Sequence, residues 1–202
     1  IEIKYLDLVK KTVVADFYPF TYLDIDYPTS NFIKRIIKKI IIKTISKNKI
    51  SIKKTLTPDE VENGSERSSL SFSMVGKKRL NNVHKLIDRI FKDNIEGDFL
   101  EAGIWKGGII IFMRACLLAY NDKNRKVWGI DSFKGLPPLD VHNFPEDKIF
   151  EKILDDWNRQ EMIVSKKEVI ENINKFDLYD NQVELIEGWF SDVFKKNYNI
   201  KK

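Results

Sequence analysis

A single cysteine, Cys116, stands in the 202 residues, so the chain can form no internal disulfide. Its apolar helical neighbours point to a buried thiol rather than a reactive one, and such sparse cysteine usage suits a reducing compartment. No apolar run reaches the roughly 18 residues needed to span a bilayer. The chain opens at Ile1 without a signal-peptide pattern, which makes a cytoplasmic location the default expectation. The missing initiator Met suggests a piece of a longer chain. There is no visible internal repeat, and between Asn31 and Thr55 there is no acidic residue at all, against nine basic ones.

What is present fits one medium domain with an N-terminal extension: 43% of the residues are hydrophobic, and the 32% that are charged are too few to signal disorder. The net charge of +5 is uneven. Residues 1–56 carry twelve Lys/Arg and five Asp/Glu, and the remainder is slightly acidic. Ile33, Ile36, Ile37, Ile40 and Ile41 form one stripe of a Lys-rich segment. The leading expectation for 31–55 is a solvated arm whose Ile stripe packs on the domain or on a second copy in a homo-oligomer. Membrane-surface contact is the alternative. Nucleic acid is not expected as a partner, because aromatic interleaving and known motifs are lacking.

Helical spacing of Leu6, Val9, Val13 and Phe17 predicts a helix over Tyr5–Tyr18. Thr57–Ser71 is polar, with Pro and Gly, and reads as a linker or flexible loop. Beyond it the pattern is regular. A helix over Gly76–Lys92 is followed by a strand (GDFLE), an apolar helix over Trp105–Tyr120 and a second strand (KVWGID). A loop over Phe133–Phe144, a mainly helical stretch over Glu146–Phe176 broken near Met162–Ser165, a third strand (QVELIE) and a helix from Trp189 complete it. This alternation predicts an open α/β sheet of parallel strands, one half of a doubly wound fold. The expected division is a helical extension over 1–72 and a ligand-binding α/β domain over 73–202.

The chemistry concentrates at the strand ends. After the first strand, Glu101-Ala102-Gly103-Ile104-Trp105-Lys106-Gly107-Gly108 turns sharply into a helix. Gly103 permits the turn, while Gly107 and Gly108 keep side chains away from the helix start, whose amides favour a carboxylate. The spacing is G-x-x-x-G-G rather than the G-x-G-x-x-G of dinucleotide enzymes. The second strand ends in Asp131, able to accept from both hydroxyls of a ribose. At the end of the third stands Gly188-Trp189-Phe190, whose rings or backbone suit an adenine, the alternative being that both aromatics belong to the core. Glycines after the first strand and an acid after the second match α/β enzymes that use S-adenosylmethionine. His84, on the Gly76–Lys92 helix, reads as a packed or surface residue.

YLDLVKKTV, SMVGKKRLNNV, GDFLEAGIWKGGIIIFMRA, VWGIDSFKGLPP and QVELIEGWFSDVF together resemble the macrocin O-methyltransferase family (TylF type). The resemblance spans most of residues 5–18 and 73–194. It implies a Rossmann-like class I methyltransferase fold, here the N-terminal half of the sheet with its helical extension. It also implies an S-adenosylmethionine-dependent O-methyltransferase acting on a sugar or other small-molecule hydroxyl. The implied cofactor residues are Ser73, Met74, Glu101, Ala102, Gly103, Trp105, Gly107, Gly108, Asp131, Ser132, Phe133, Gly188, Trp189 and Phe190, with Ser73–Gly76 closing over the methionine end. The family's metal acids, expected to bind Mg2+, belong to D-G-D and D-D-Y motifs that fall after Lys202, so no metal ligand is expected in this chain. Family members place a His base after the G-L-P-x-P loop. Here His142 comes early in that segment, and Asp155 and Asp156 are the other candidates. With the metal-site strands missing, this chain alone is expected to transfer no methyl group, and the competing expectation is a non-catalytic truncated remnant that binds the cofactor or a partner chain.

Overall fold

A computed structural model describes residues 2–22, 53–153, 161–196 and 198–201. The basic Ile/Lys segment lies almost wholly outside the described residues, as do Asp155 and Asp156.

Helix α1 (Glu2–Val13) leads to strand β1 (Phe20–Tyr22), which pairs antiparallel with β2 (Lys53–Thr55). Helices α2 (Pro58–Asn63) and α3 (Lys77–Lys92) follow. Then come β3 (Phe99–Ala102), α4 (Gly108–Ala119), β4 (Val127–Asp131), α5 (Asp147–Ile153), α6 (Lys166–Asn174), β5 (Val183–Glu187) and α7 (Phe190–Val193). The sheet has the order β3-β4-β5, with both pairs parallel, Phe99 opposite Val127 and Val127 opposite Val183. The expected α/β alternation is therefore present.

α4 organises the core. Its sequence GIIIFMRACLLA is apolar on every side, the mark of a helix covered all round. One side meets β3 and β4, and α1 lies across another, flanked by α3 and α6. Leu6, Val9 and Val13 of α1 are buried in the same cluster as Ile110, Phe112 and Val127, so the N-terminal helix shares the core of the sheet. The one charge in α4, Arg114, is buried. Its Nε donates to Asp180 at 3.0 Å, and this bond holds the Asp180 carboxyl below the usual carboxylate range. Cys116 is fully buried, and burial pushes its thiol up to about 12. The His84 ring packs edge-on against Phe112 at 5.7 Å, and burial lowers its basicity.

The stretch expected as a linker is ordered. Thr57 caps α2 by accepting from the Glu60 amide, and Glu60 returns a bond to the Thr57 amide. Pro58 occupies the first turn, and Gly64 ends the helix in a left-handed conformation (φ 69°). T-P-D-E followed by Gly is a capping box with its stop signal, which offsets the polarity that suggested a loop. Further on, Ser68 and Ser71 are buried and donate to the Tyr18 and Val13 carbonyls.

Candidate cofactor site

The carboxyl ends of β3, β4 and β5 open on one crevice of about 470 Å³, within the range of small-molecule sites. Backbone bonds fix their relative positions. The Gly103 amide donates to Ile130 O at 2.8 Å, and the Gly188 amide to Asp131 O at 2.9 Å. Gly103 adopts φ 83°, a left-handed turn that directs the chain from β3 into α4.

Asp131 joins the three turns. Its Oδ2 accepts from the Ile104 amide at 2.8 Å and the Trp105 amide at 3.4 Å, and its Oδ1 accepts from the Phe133 amide at 2.8 Å. A carboxylate has about four acceptor positions, so Oδ1 keeps capacity for a ligand hydroxyl. Ser132 shapes the adjoining turn, donating to Gly135 O at 2.9 Å and accepting from the Lys134 amide.

Met74, Gly103, Trp105, Asp131, Ser132, Gly188, Trp189 and Phe190 all line the crevice. The other residues expected at the cofactor stand behind it. Phe133 is buried and Ala102 is exposed outside the lining. Ser73 is buried, and its Oγ accepts from the Val75 amide. Gly107 faces Val169, and a Cβ on Gly108 would come within 2.6 Å of Phe72 O. The space that these two glycines leave is thus filled by α6 and by the 72–73 backbone. Glu101 lies under the first turn of α4, with Oε2 buried and unpartnered. Burial, with Asp131 close by, raises its carboxyl to about 8, although the Ile110 amide pulls the other way.

The structure adds Gly135, Leu136, Pro137, Met162 and Ser191 to the lining. Pro137 lies in the quoted G-L-P-P loop, whereas Met162 carries no pattern of its own. His142 is exposed on the 141–143 turn and does not line the crevice. Among the described residues, no group of three or more His, Cys, Asp or Glu is placed to hold a metal ion such as Mg2+. No described helix is long and apolar enough to cross a membrane.

The solved structure of the O-methyltransferase NovP matches 95% of this chain and 66% of its own, with a TM-score of 0.74 and 26% identity. Fold and crevice thus define the class: a Rossmann-like α/β methyltransferase fold. The chain belongs to the macrocin O-methyltransferase (TylF) family, whose description, Macrocin-O-methyltransferase (TylF), matches residues 2–201. Among curated proteins it is 36% identical to mycinamicin III 3''-O-methyltransferase of Micromonospora griseorubida over 65% of this chain and 51% of that protein. It is 35% identical to demethyldecarbamoylnovobiocin O-methyltransferase of Streptomyces niveus over 66% of this chain and 50% of that one. The chain spans about half the length of the curated relatives it matches.

Proposed function

We propose that this chain forms the S-adenosylmethionine-binding portion of an O-methyltransferase whose acceptor is a hydroxyl on a sugar or another small molecule. The observation that carries the reading is the convergence of Gly103, Asp131 and Gly188 on one crevice walled by Trp105, Trp189 and Phe190. The family supports it, as do relatives whose names are those of O-methyltransferases.

The residues suit this cofactor. Asp131 Oδ1 keeps acceptor capacity suited to a ribose hydroxyl, and the aromatic side chains of the lining suit an adenine. Trp105 and Met74 complete the lining. When bound, the cofactor supplies an electrophilic methyl group on a sulfonium that is already a good leaving group. The protein's contribution is then chiefly orientation and exclusion of water around the in-line attack. With the donor bound, a C–O bond would form as the C–S bond breaks, the sulfur leaving as the neutral thioether and the hydroxyl proton passing to a base or to solvent. His142, on its exposed turn, takes no role in this reading.

Incubation of the full-length gene product with methyl-labelled S-adenosylmethionine and a panel of glycosylated acceptors tests the activity. Label in a sugar methyl ether supports the proposal. Label on nitrogen or carbon of the acceptor would contradict it.

A further inference from the structure

Three segments far apart in sequence meet at one end of the crevice. The loop after α2 carries Arg67 and Met74, the β3–α4 turn carries Trp105, and the stretch before α6 carries Glu161 and Met162. Met74, Trp105 and Met162 line the crevice, while Arg67 and Glu161 do not.

These segments are joined through a single indole. Trp105 Nε1 donates to the Glu161 carbonyl at 2.9 Å. The Arg67 guanidinium lies over the Trp105 ring, 5.5 Å from its centroid, and its Nη2 forms an ion pair with the Glu161 carboxylate. The Lys106 ammonium stands over the same ring at 4.4 Å. Trp105 itself takes φ 47°, which a bulky residue adopts only where its surroundings impose it. Glu161 therefore engages the turn with its carbonyl and the N-terminal loop with its carboxylate, while Arg67 closes the triangle. Glu161 also offsets charge here: Lys106 is held below the ordinary lysine range, by burial first and by Arg67 and Lys175 as well, and Glu161 opposes the shift.

The ion pair is partly accessible, with side-chain exposures of 33% and 29%. Pairs of this kind contribute little to global folding. Their effect is local, on whether the two flanking segments stay seated on Trp105.

We propose that Arg67 and Glu161 are positioning residues that clasp Met74 and Met162 onto Trp105 and thereby set how fast a bound methyl donor leaves. The proposal rests on the S-adenosylmethionine reading of the crevice. The clasp itself is a property of the free protein.

The test compares wild type, Arg67→Gln, Glu161→Gln and the charge-swapped double variant R67E/E161R, with two readouts. Amide exchange of 72–76 and 161–165 is followed without ligand, and dissociation of S-adenosylhomocysteine is followed by stopped flow. Each single variant speeds exchange in both segments and dissociation about five-fold, with a much smaller change in association rate. The swap recovers part of both, because the ion pair returns without a guanidinium from position 67 over the Trp105 ring. Unchanged exchange at 161–165, a swap no better than the singles, or faster exchange throughout the protein would overturn the clasp. If wild type fails to bind S-adenosylhomocysteine, the cofactor reading and the control of donor release fall together. The exchange data then still decide whether the clasp exists.

Discussion

Glu101 and Asp131 stand near the carboxyl ends of neighbouring parallel strands, and backbone amides engage both oxygens of Asp131 but leave Oε2 of Glu101 bare. Asp131 accepts from the Ile104 and Phe133 amides at 2.8 Å each, whereas Oε2 of Glu101 is buried with no partner. The neighbouring charge of Asp131 adds to the burial of Glu101 and raises its carboxyl from 4.5 to about 8.

A pH dependence follows. Between about pH 4.5 and pH 8 the folded chain holds a proton on Glu101 that the unfolded chain has released. The stability from this group is therefore fully present below the lower value and lost as pH rises through the upper one. Glu101→Gln keeps the shape without the charge. Urea midpoints of the two proteins, measured from about pH 5 to about pH 9, should diverge in favour of the variant as pH rises. A difference that stays constant with pH would show that Glu101 does not titrate as its surroundings dictate.

Asp131→Asn places an NH2 where an oxygen now receives backbone amides. If it replaces Oδ2, it faces Ile104 N–H, and if Oδ1, it faces Phe133 N–H. Leaving such a donor unsatisfied costs about 1–3 kcal/mol. Chemical denaturation should show a loss of that order. Calorimetry should show S-adenosylhomocysteine binding weakened by roughly tenfold or more. Full stability in the variant would mean that the carboxylate does not hold the turns together.

The two ends of the glycine turn should respond differently to alanine. A Cβ at Gly108 would sit 2.6 Å from Phe72 O, with no flexible side chain to move aside. Gly108→Ala should therefore destabilise by about 1–3 kcal/mol and loosen the 72–73 segment. At Gly103 the nearest atom to an added Cβ is Phe190 Cζ at 3.9 Å, so Gly103→Ala meets only the backbone penalty of its left-handed φ. Unfolding midpoints of the pair check the order, Gly108→Ala being the less stable.

Phe190 lines the crevice and is 43% exposed, so its removal disturbs little packing. Phe190→Ala should leave the melting temperature nearly unchanged and weaken S-adenosylhomocysteine by about five-fold. His142→Ala, on its exposed turn, should change neither. An effect of His142→Ala equal to that of Phe190→Ala would place the 141–143 turn at the cofactor.

The sheet and its crevice were legible because strand-to-helix turns are local. E-A-G at the end of β3, the terminal acid of β4 and G-W-F after β5 each sit within a few residues of a strand end. What that pattern does not show is direction. Glu101 and Gly108 belong to the same motif as Gly103, yet one lies under α4 and the other faces Phe72. Only packing distinguishes a glycine that admits a ligand from one that admits another stretch of chain. Met162 was missed for a similar reason: it reaches the crevice through contacts of Glu161 with Trp105 and Arg67, which are long-range in sequence. The helix over Pro58–Asn63 was a different case, since its capping box was written in T-P-D-E and only its polarity obscured it.

The central claim is that the three strand ends bind S-adenosylmethionine. Isothermal titration of this chain with S-adenosylhomocysteine, and separately with NAD, tests it most directly. One saturable site for S-adenosylhomocysteine, weakened in Asp131→Asn, and no heat of binding from NAD are expected. Binding of NAD in place of S-adenosylhomocysteine, or S-adenosylhomocysteine binding indifferent to Asp131, would contradict it.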